Sequence, residues 1–123
     1  MTNYSKLYKT LTSFNDTITA SVSGKNLLSV FEENAKNYPD LTALHYASDA
    51  NYKQWHTISW KTYRDKAQHV ASGLLTLDLP QDEIVLILSR NRPEHNIIDM
   101  GILYAHGIPC SLYQTLKSNQ IVD

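Results

Sequence analysis

The stretch Glu83–Tyr113, EIVLILSRNRPEHNIIDMGILYAHGIPCSLY, decides the fold. Ile84 to Leu88 is a continuous apolar run, the pattern of a strand buried on both faces of a parallel sheet. A turn follows, in which Asn91 and Glu94 stand three apart like the two ends of a capping box. Pro93 falls in the first helical turn, where its missing N–H costs little. Ile97, Ile98, Gly101, Ile102 and Ala105 then repeat at helical spacing. Gly107, able to take positive φ, is the expected stop, and Ile108 to Leu112 is the second strand. Strand, helix and strand with short joints make a βαβ unit, for which a right-handed crossover is expected.

Working back from this unit, Asp78 to Asp82 is a turn around Pro80. Before it lies the longest expected helix, Trp60 to about Leu77, N-capped by Ser59. Trp60, Tyr63, Ala67, Val70, Ala71, Leu74 and Leu75 share one face of it. Thr42 to Ala47 and Gln54 to Ile58 read as an antiparallel hairpin whose turn is Asp49, Ala50 and Asn51. A shorter helix carries Leu27, Leu28, Phe31 and Ala35, with Asn26 as its cap and Pro39 as its stop. Residues 1–25, rich in Ser, Thr and Asn, are expected to form an extended leader. Tyr4, Leu7, Tyr8, Leu11 and Phe14 leave a short anchoring helix as the alternative. The fold class is α/β: a mainly parallel sheet built of βαβ units, preceded by an antiparallel hairpin. The chain ends at Asp123, inside what reads as the next element, so it is expected to be the opening part of a longer protein.

Bulk properties exclude several classes. With 42% apolar and 19% charged residues, the chain is globular rather than disordered. A net charge of −1 with scattered Lys and Arg argues against nucleic acid as a partner. No apolar run is long enough to span a bilayer, and no secretory signal is visible. A lone cysteine, Cys110, fits a reducing compartment.

Chemistry-bearing candidates are few. The four glycines, Gly24, Gly73, Gly101 and Gly107, are too dispersed for a dinucleotide fingerprint or a Walker loop. His45 and His56 lie on adjacent strands and could face each other, but without further ligands they read as hairpin surface rather than metal site. His95 and Asp99, one helical turn apart, read as a surface pair; a general base oriented by Asp is the sharper alternative, although no nucleophile accompanies it. His106 sits where an imidazolium would favour the helix dipole. Cys110 reads as a small core residue. Arg90 and Arg92 occupy the carboxyl end of a parallel strand, where α/β sheets place ligands and an arginine can hold phosphate. A solvated turn is the plainer reading. Tyr113 and Thr115 end the next strand on the same edge.

The chain from about Asn26 onward resembles the N-terminal portion of the adenylate-forming (AMP-dependent) synthetases and ligases, and most of all the bacterial type of long-chain fatty-acid–CoA ligase. The resemblance rests on an ordered series: Tyr38-Pro39-Asp40, Thr42-Ala43-Leu44, Ile58-Ser59-Trp60 with Tyr63, and Val70-Ala71-Ser72-Gly73-Leu74. It continues through Ile84 to Leu88, the dense match Ser89-Arg90-Asn91-Arg92-Pro93-Glu94, then Asp99, Ile102-Leu103, Gly107-Ile108-Pro109 and Tyr113-Gln114-Thr115. Gln120-Ile121 fits the start of the following helix. The chain departs from the family at Gln81-Asp82-Glu83, where Gly-Asp is usual, and at His106, where a small residue is common.

The resemblance implies a two-step ligase. Fatty acid and ATP would give an acyl-adenylate and pyrophosphate, and coenzyme A would then displace AMP. ATP, Mg²⁺ and coenzyme A are thus implied for the intact enzyme, with none expected for this chain. The family's phosphate loop, adenine motifs, Mg²⁺-binding Glu and catalytic Lys have no counterparts here. No catalytic, cofactor-binding or metal residue is therefore assigned, and Asn91, Pro93 and Glu94 are read as helix-starting structure. Residues 26–123 are expected to be an incomplete N-terminal subdomain, inactive alone, whose open sheet edge the rest of its domain covers. The implied location is cytoplasmic or peripheral to the inner face of the membrane. A catalytically incomplete interaction module and a small nucleotide-binding domain using Arg90 and Arg92 are the alternatives.

Overall fold

The computed structural model of the chain describes residues 3–48, 53–117 and 121, with side chains from Ser13 onward. The elements run α1 (Asn3–Val22), α2 (Leu27–Asn37), β1 (Thr42–Ala47), β2 (Trp55–Ser59), α3 (Trp60–Thr76), β3 (Ile84–Leu88), α4 (Pro93–Tyr104) and β4 (Ile108–Leu112). The α/β class holds: β1 and β2 pair antiparallel, and β3 and β4 pair parallel from Ile84↔Ile108 to Leu88↔Leu112. The turn expected at Asp49 to Asn51 and the helix start expected at Gln120 lie outside the described residues.

Two helix starts follow their caps. Asn26 Oδ1 accepts from Ser29 N at 2.8 Å, and Ser29 Oγ accepts from Asn26 N at 2.9 Å, a reciprocal box that satisfies two backbone donors. At α3, Ser59 Oγ accepts from Thr62 N at 3.2 Å. The carbonyls of Leu41 and Pro39 take the N–H groups of Trp60 and Lys61, so the connection after α2 is tied to the start of α3.

The core lies where α2, α3, α4 and the hairpin meet. Phe31, Ile58, Tyr63, Ala67, Ile97 and Met100 are buried together there. Phe31 is its hub, with edge contacts to Tyr63 at 4.8 Å, Trp60 at 5.8 Å and Tyr104 at 6.2 Å between ring centroids. Tyr63 Oη donates to the Asn96 carbonyl at 3.0 Å, and burial together with the charge of Asp99 pushes this phenol up to about 12. Tyr104 donates to Glu32, whose carboxylate also accepts from Gln68 Nε2 at 3.2 Å. Burial, then the Glu32 bond, raises the Tyr104 phenol as well.

Several expectations give way. Residues 1–25 are not an extended leader: α1 occupies Asn3–Val22, the helix that the spacing of Tyr4, Leu7, Tyr8, Leu11 and Phe14 left as the alternative. The cap of α4 is Arg92, not Asn91, and its side chain makes no capping bond. Pro93 at the first helical position forces its predecessor into extended backbone, which fixes the boundary one residue later than the Asn91–Glu94 spacing indicated. Gly107 is not the positive-φ stop. His106 takes φ 60°, and its N–H and that of Gly107 bond back to Leu103 and Ile102 in a Schellman closure. Gly107 serves close approach instead, because a Cβ there would stand 2.9 Å from Ile102 Cγ2 and 3.3 Å from the Glu83 carbonyl. Asp78 (φ 54°) and Asp82 (φ 61°) are also left-handed.

Finally, β3 is not buried on both faces. Ile87 is 4% exposed, but Ile84, Leu86 and Leu88 are 58%, 51% and 57% exposed. Helix α4 covers one side of the β3–β4 pair, and no described element covers the other.

Candidate functional site at the carboxyl edge of the parallel strands

Because β3 and β4 run parallel and in step, both end at the same level. This brings the turn Ser89–Arg92 beside Tyr113 and Thr115, as the sequence placed them. Arg90 and Tyr113 are exposed, Tyr113 at 81%. Arg92 is occupied: its Nε donates to Glu94 Oε2 at 2.6 Å. That bond holds the Glu94 carboxyl below its usual range and strengthens the guanidinium's hold on its proton. His95 does not pair with Asp99 for orientation. Its Nε2 lies 2.9 Å from Ser111 Oγ, which stitches the first turn of α4 to β4. Asp99 acts inward, on Tyr63.

Beside this edge lies a shallow cleft of about 200 Å³. Tyr46, Ala47 and Trp55 of the hairpin form one wall, and Asn91, Arg92 and Asn96 the other. The hairpin wall carried no signal in the sequence, because the cleft exists only once the hairpin packs against α4. His45 and His56 do not face each other. The register sets His45 against Thr57 and His56 against Tyr46, so adjacent-strand position left them on opposite faces. His56 contacts Ser48 Oγ at 3.0 Å and lies over the Tyr46 ring. Cys110 is half-buried in β4.

Chemically, the edge offers the exposed cation Arg90 and a cleft with amide and aromatic walls. The turn Ser89–Arg92 has no glycine to let phosphate approach the backbone, and Arg92 is paired with the Glu94 carboxylate. Among the described residues no three His, Cys, Asp or Glu side chains gather to hold a metal ion. No described helix is long and apolar enough to cross a membrane.

The hairpin followed by a βαβ unit with this edge is the opening architecture of adenylate-forming enzymes. Residues 31–123 match the family described as AMP-binding enzyme, and the chain belongs to it. Among curated relatives, it is 37% identical over 95 residues to the long-chain-fatty-acid–CoA ligase ACSBG2 of Gallus gallus, covering 77% of this chain and 12% of that protein. It is 35% identical over 86 residues to the long-chain-fatty-acid–CoA ligase ACSBG1 of Homo sapiens, covering 70% and 12%. The chain thus spans about one eighth of the length of these relatives. Among solved structures, the fatty acyl-adenylate ligase from L. pneumophila superposes with a TM-score of 0.65 at 20% identity, covering 71% of this chain and 15% of that one. The N-terminal subdomain of Klebsiella oxytoca NpsA gives 0.68 at 19% identity, covering 77% and 22%. Both show a shared fold.

Proposed function

We propose that this chain is the N-terminal segment of a long-chain fatty-acid–CoA ligase, and that it has no ligase activity by itself. The observation that carries this reading is the match of residues 31–123 to the AMP-binding enzyme family together with 37% identity to a long-chain ligase. The reaction of the whole enzyme would join fatty acid and ATP into an acyl-adenylate with release of pyrophosphate, then pass the acyl group to coenzyme A with release of AMP. ATP, Mg²⁺ and coenzyme A would be held by residues outside this chain, since its own carboxyl edge lacks a phosphate cradle. The enzyme would act in the cytoplasm or at the inner face of a membrane. Fatty-acid-dependent pyrophosphate release is the test. Purified 1–123 should give none, and the chain extended by whatever coding sequence follows it should give turnover with long-chain acids. Turnover by 1–123 itself, or none by the extended protein, would overturn the reading.

The open sheet face supports a second reading, a catalytically incomplete interaction module. Ile84, Leu86, Leu88 and Ile108 form an exposed apolar row there. A transcript with a stop directly after Asp123 would favour that reading.

A further inference from the structure

Helix α1 stands apart from the rest of the molecule. Among the described residues it touches no other element, and every residue from Ser13 to Val22 is exposed. Gly24, at φ 73°, turns the chain between it and α2. Even so, α1 is sharply two-sided. Phe14, Ile18 and Val22 are 62%, 45% and 52% exposed on one stripe, and the sequence continues that row through Leu11, Tyr8, Leu7 and Tyr4. Asn15 falls within this arc, between Val22 and Tyr8. Such a stripe spans about 120° of the helix, wider than the a/d seam of a coiled coil. Nor do the flanking positions offer the opposite charges that would pair two copies.

The polar face is built from Ser, Thr and Asn, with Lys6, Lys9 and Asp16 as its charges. The helix therefore carries a net +1 while the remainder of the chain carries −2. Two hydroxyls bordering the stripe are already satisfied within the helix: Thr17 Oγ1 donates to the Ser13 carbonyl at 2.9 Å, and Ser21 Oγ to the Ile18 carbonyl at 2.7 Å. Their partial removal from water leaves no unmade donor. An amphipathic helix with a polar face, aromatic and aliphatic residues on the other and low net hydrophobicity is suited to lie in a lipid interface.

We propose that α1 is an interfacial helix that seats its Phe14–Ile18–Val22 stripe in an anionic phospholipid bilayer surface, with the body held outward by its opposite charge. This deepens the membrane-peripheral location proposed above and names the residues responsible. Insertion of the stripe supplies the larger part of the binding, and Lys6 and Lys9 supply the preference for anionic lipid.

The test is co-flotation of the full 123-residue chain with 100-nm vesicles of phosphatidylcholine and phosphatidylserine, and with vesicles of phosphatidylcholine alone. The chain should float with the mixed vesicles and less with the neutral ones. Phe14→Asp with Ile18→Asp should lower partitioning by about a hundredfold, since two inserted side chains are lost. The body should keep its melting temperature, because among the described residues α1 packs on no other element. Equal flotation of the variant, or no preference for anionic vesicles, would overturn the proposal. So would a dimer by light scattering that the same substitutions abolish without any vesicle binding. None of these readouts depends on ligase turnover, so failure here and failure of the ligase reading are separable.

Discussion

Two glycines placed in neighbouring helices should respond to the same substitution with opposite signs. Gly101 lies in α4 where it crosses α3, and a Cβ there would stand 2.6 Å from both Val70 Cβ and Val70 Cγ1 and 2.9 Å from the Ala67 carbonyl oxygen. Ordinary contacts between carbon atoms sit near 3.5–4.0 Å. The Val70 Cβ and the Ala67 carbonyl are fixed to the α3 backbone, so a side-chain rotation cannot relieve the overlap. The helices must separate, which loosens Ala67, Ile97 and Met100 in the core. Overpacking of this kind costs about 3 kcal/mol at the upper end of its usual range. The better helix propensity of alanine returns about 1 kcal/mol. Gly101→Ala should therefore destabilise by about 2 kcal/mol, lowering Tm by roughly 8 °C in a domain of this size. Gly73, in α3, has nothing within 4 Å of its would-be Cβ. Gly73→Ala meets only the propensity gain and should raise Tm by roughly 4 °C. Thermal melts followed by circular dichroism measure both. Val70→Ala added to Gly101→Ala should restore only part of the loss, because the contact with the position-70 Cβ persists. A Gly101→Ala melt at or above wild type would refute the close approach of α3 and α4.

Two further outcomes follow from individual side chains. The Tyr63 phenol is raised to about 12 in the folded chain, against about 10 unfolded. The folded state thus holds its proton where the unfolded state releases it. The contribution is whole below pH 10 and is lost as pH rises from 10 to 12, about 2–3 kcal/mol in all. Urea melts across that range should show a steeper alkaline loss for wild type than for Tyr63→Phe, and parallel curves would contradict the assignment. His106→Gly should raise stability by about 1 kcal/mol, because the left-handed backbone at φ 60° costs a histidine and not a glycine. A lowered urea midpoint would show that the histidine side chain contributes more than its backbone costs.

The sequence alone determined the order of elements from Asn26 onward, the caps at Asn26 and Ser59, the βαβ unit and the resemblance of its motifs to adenylate-forming ligases. These were legible because helix and strand periods, N-capping and proline stops are properties of neighbours in the chain. It also placed Arg90, Arg92, Tyr113 and Thr115 on one edge, since parallel strands joined by a helix end on the same side. The tertiary structure decided the rest. Pairing register separated His45 from His56. Contact with β4 turned His95 toward Ser111, and Glu94 engaged Arg92 in an exposed ion pair. The roles of the glycines were decided in space as well. Gly101 and Gly107 are needed for what lies against them, while the left-handed turn fell to His106. The apolar run of β3 could not reveal that only one of its faces is covered, because composition records what a strand can bury and only packing determines what does cover it.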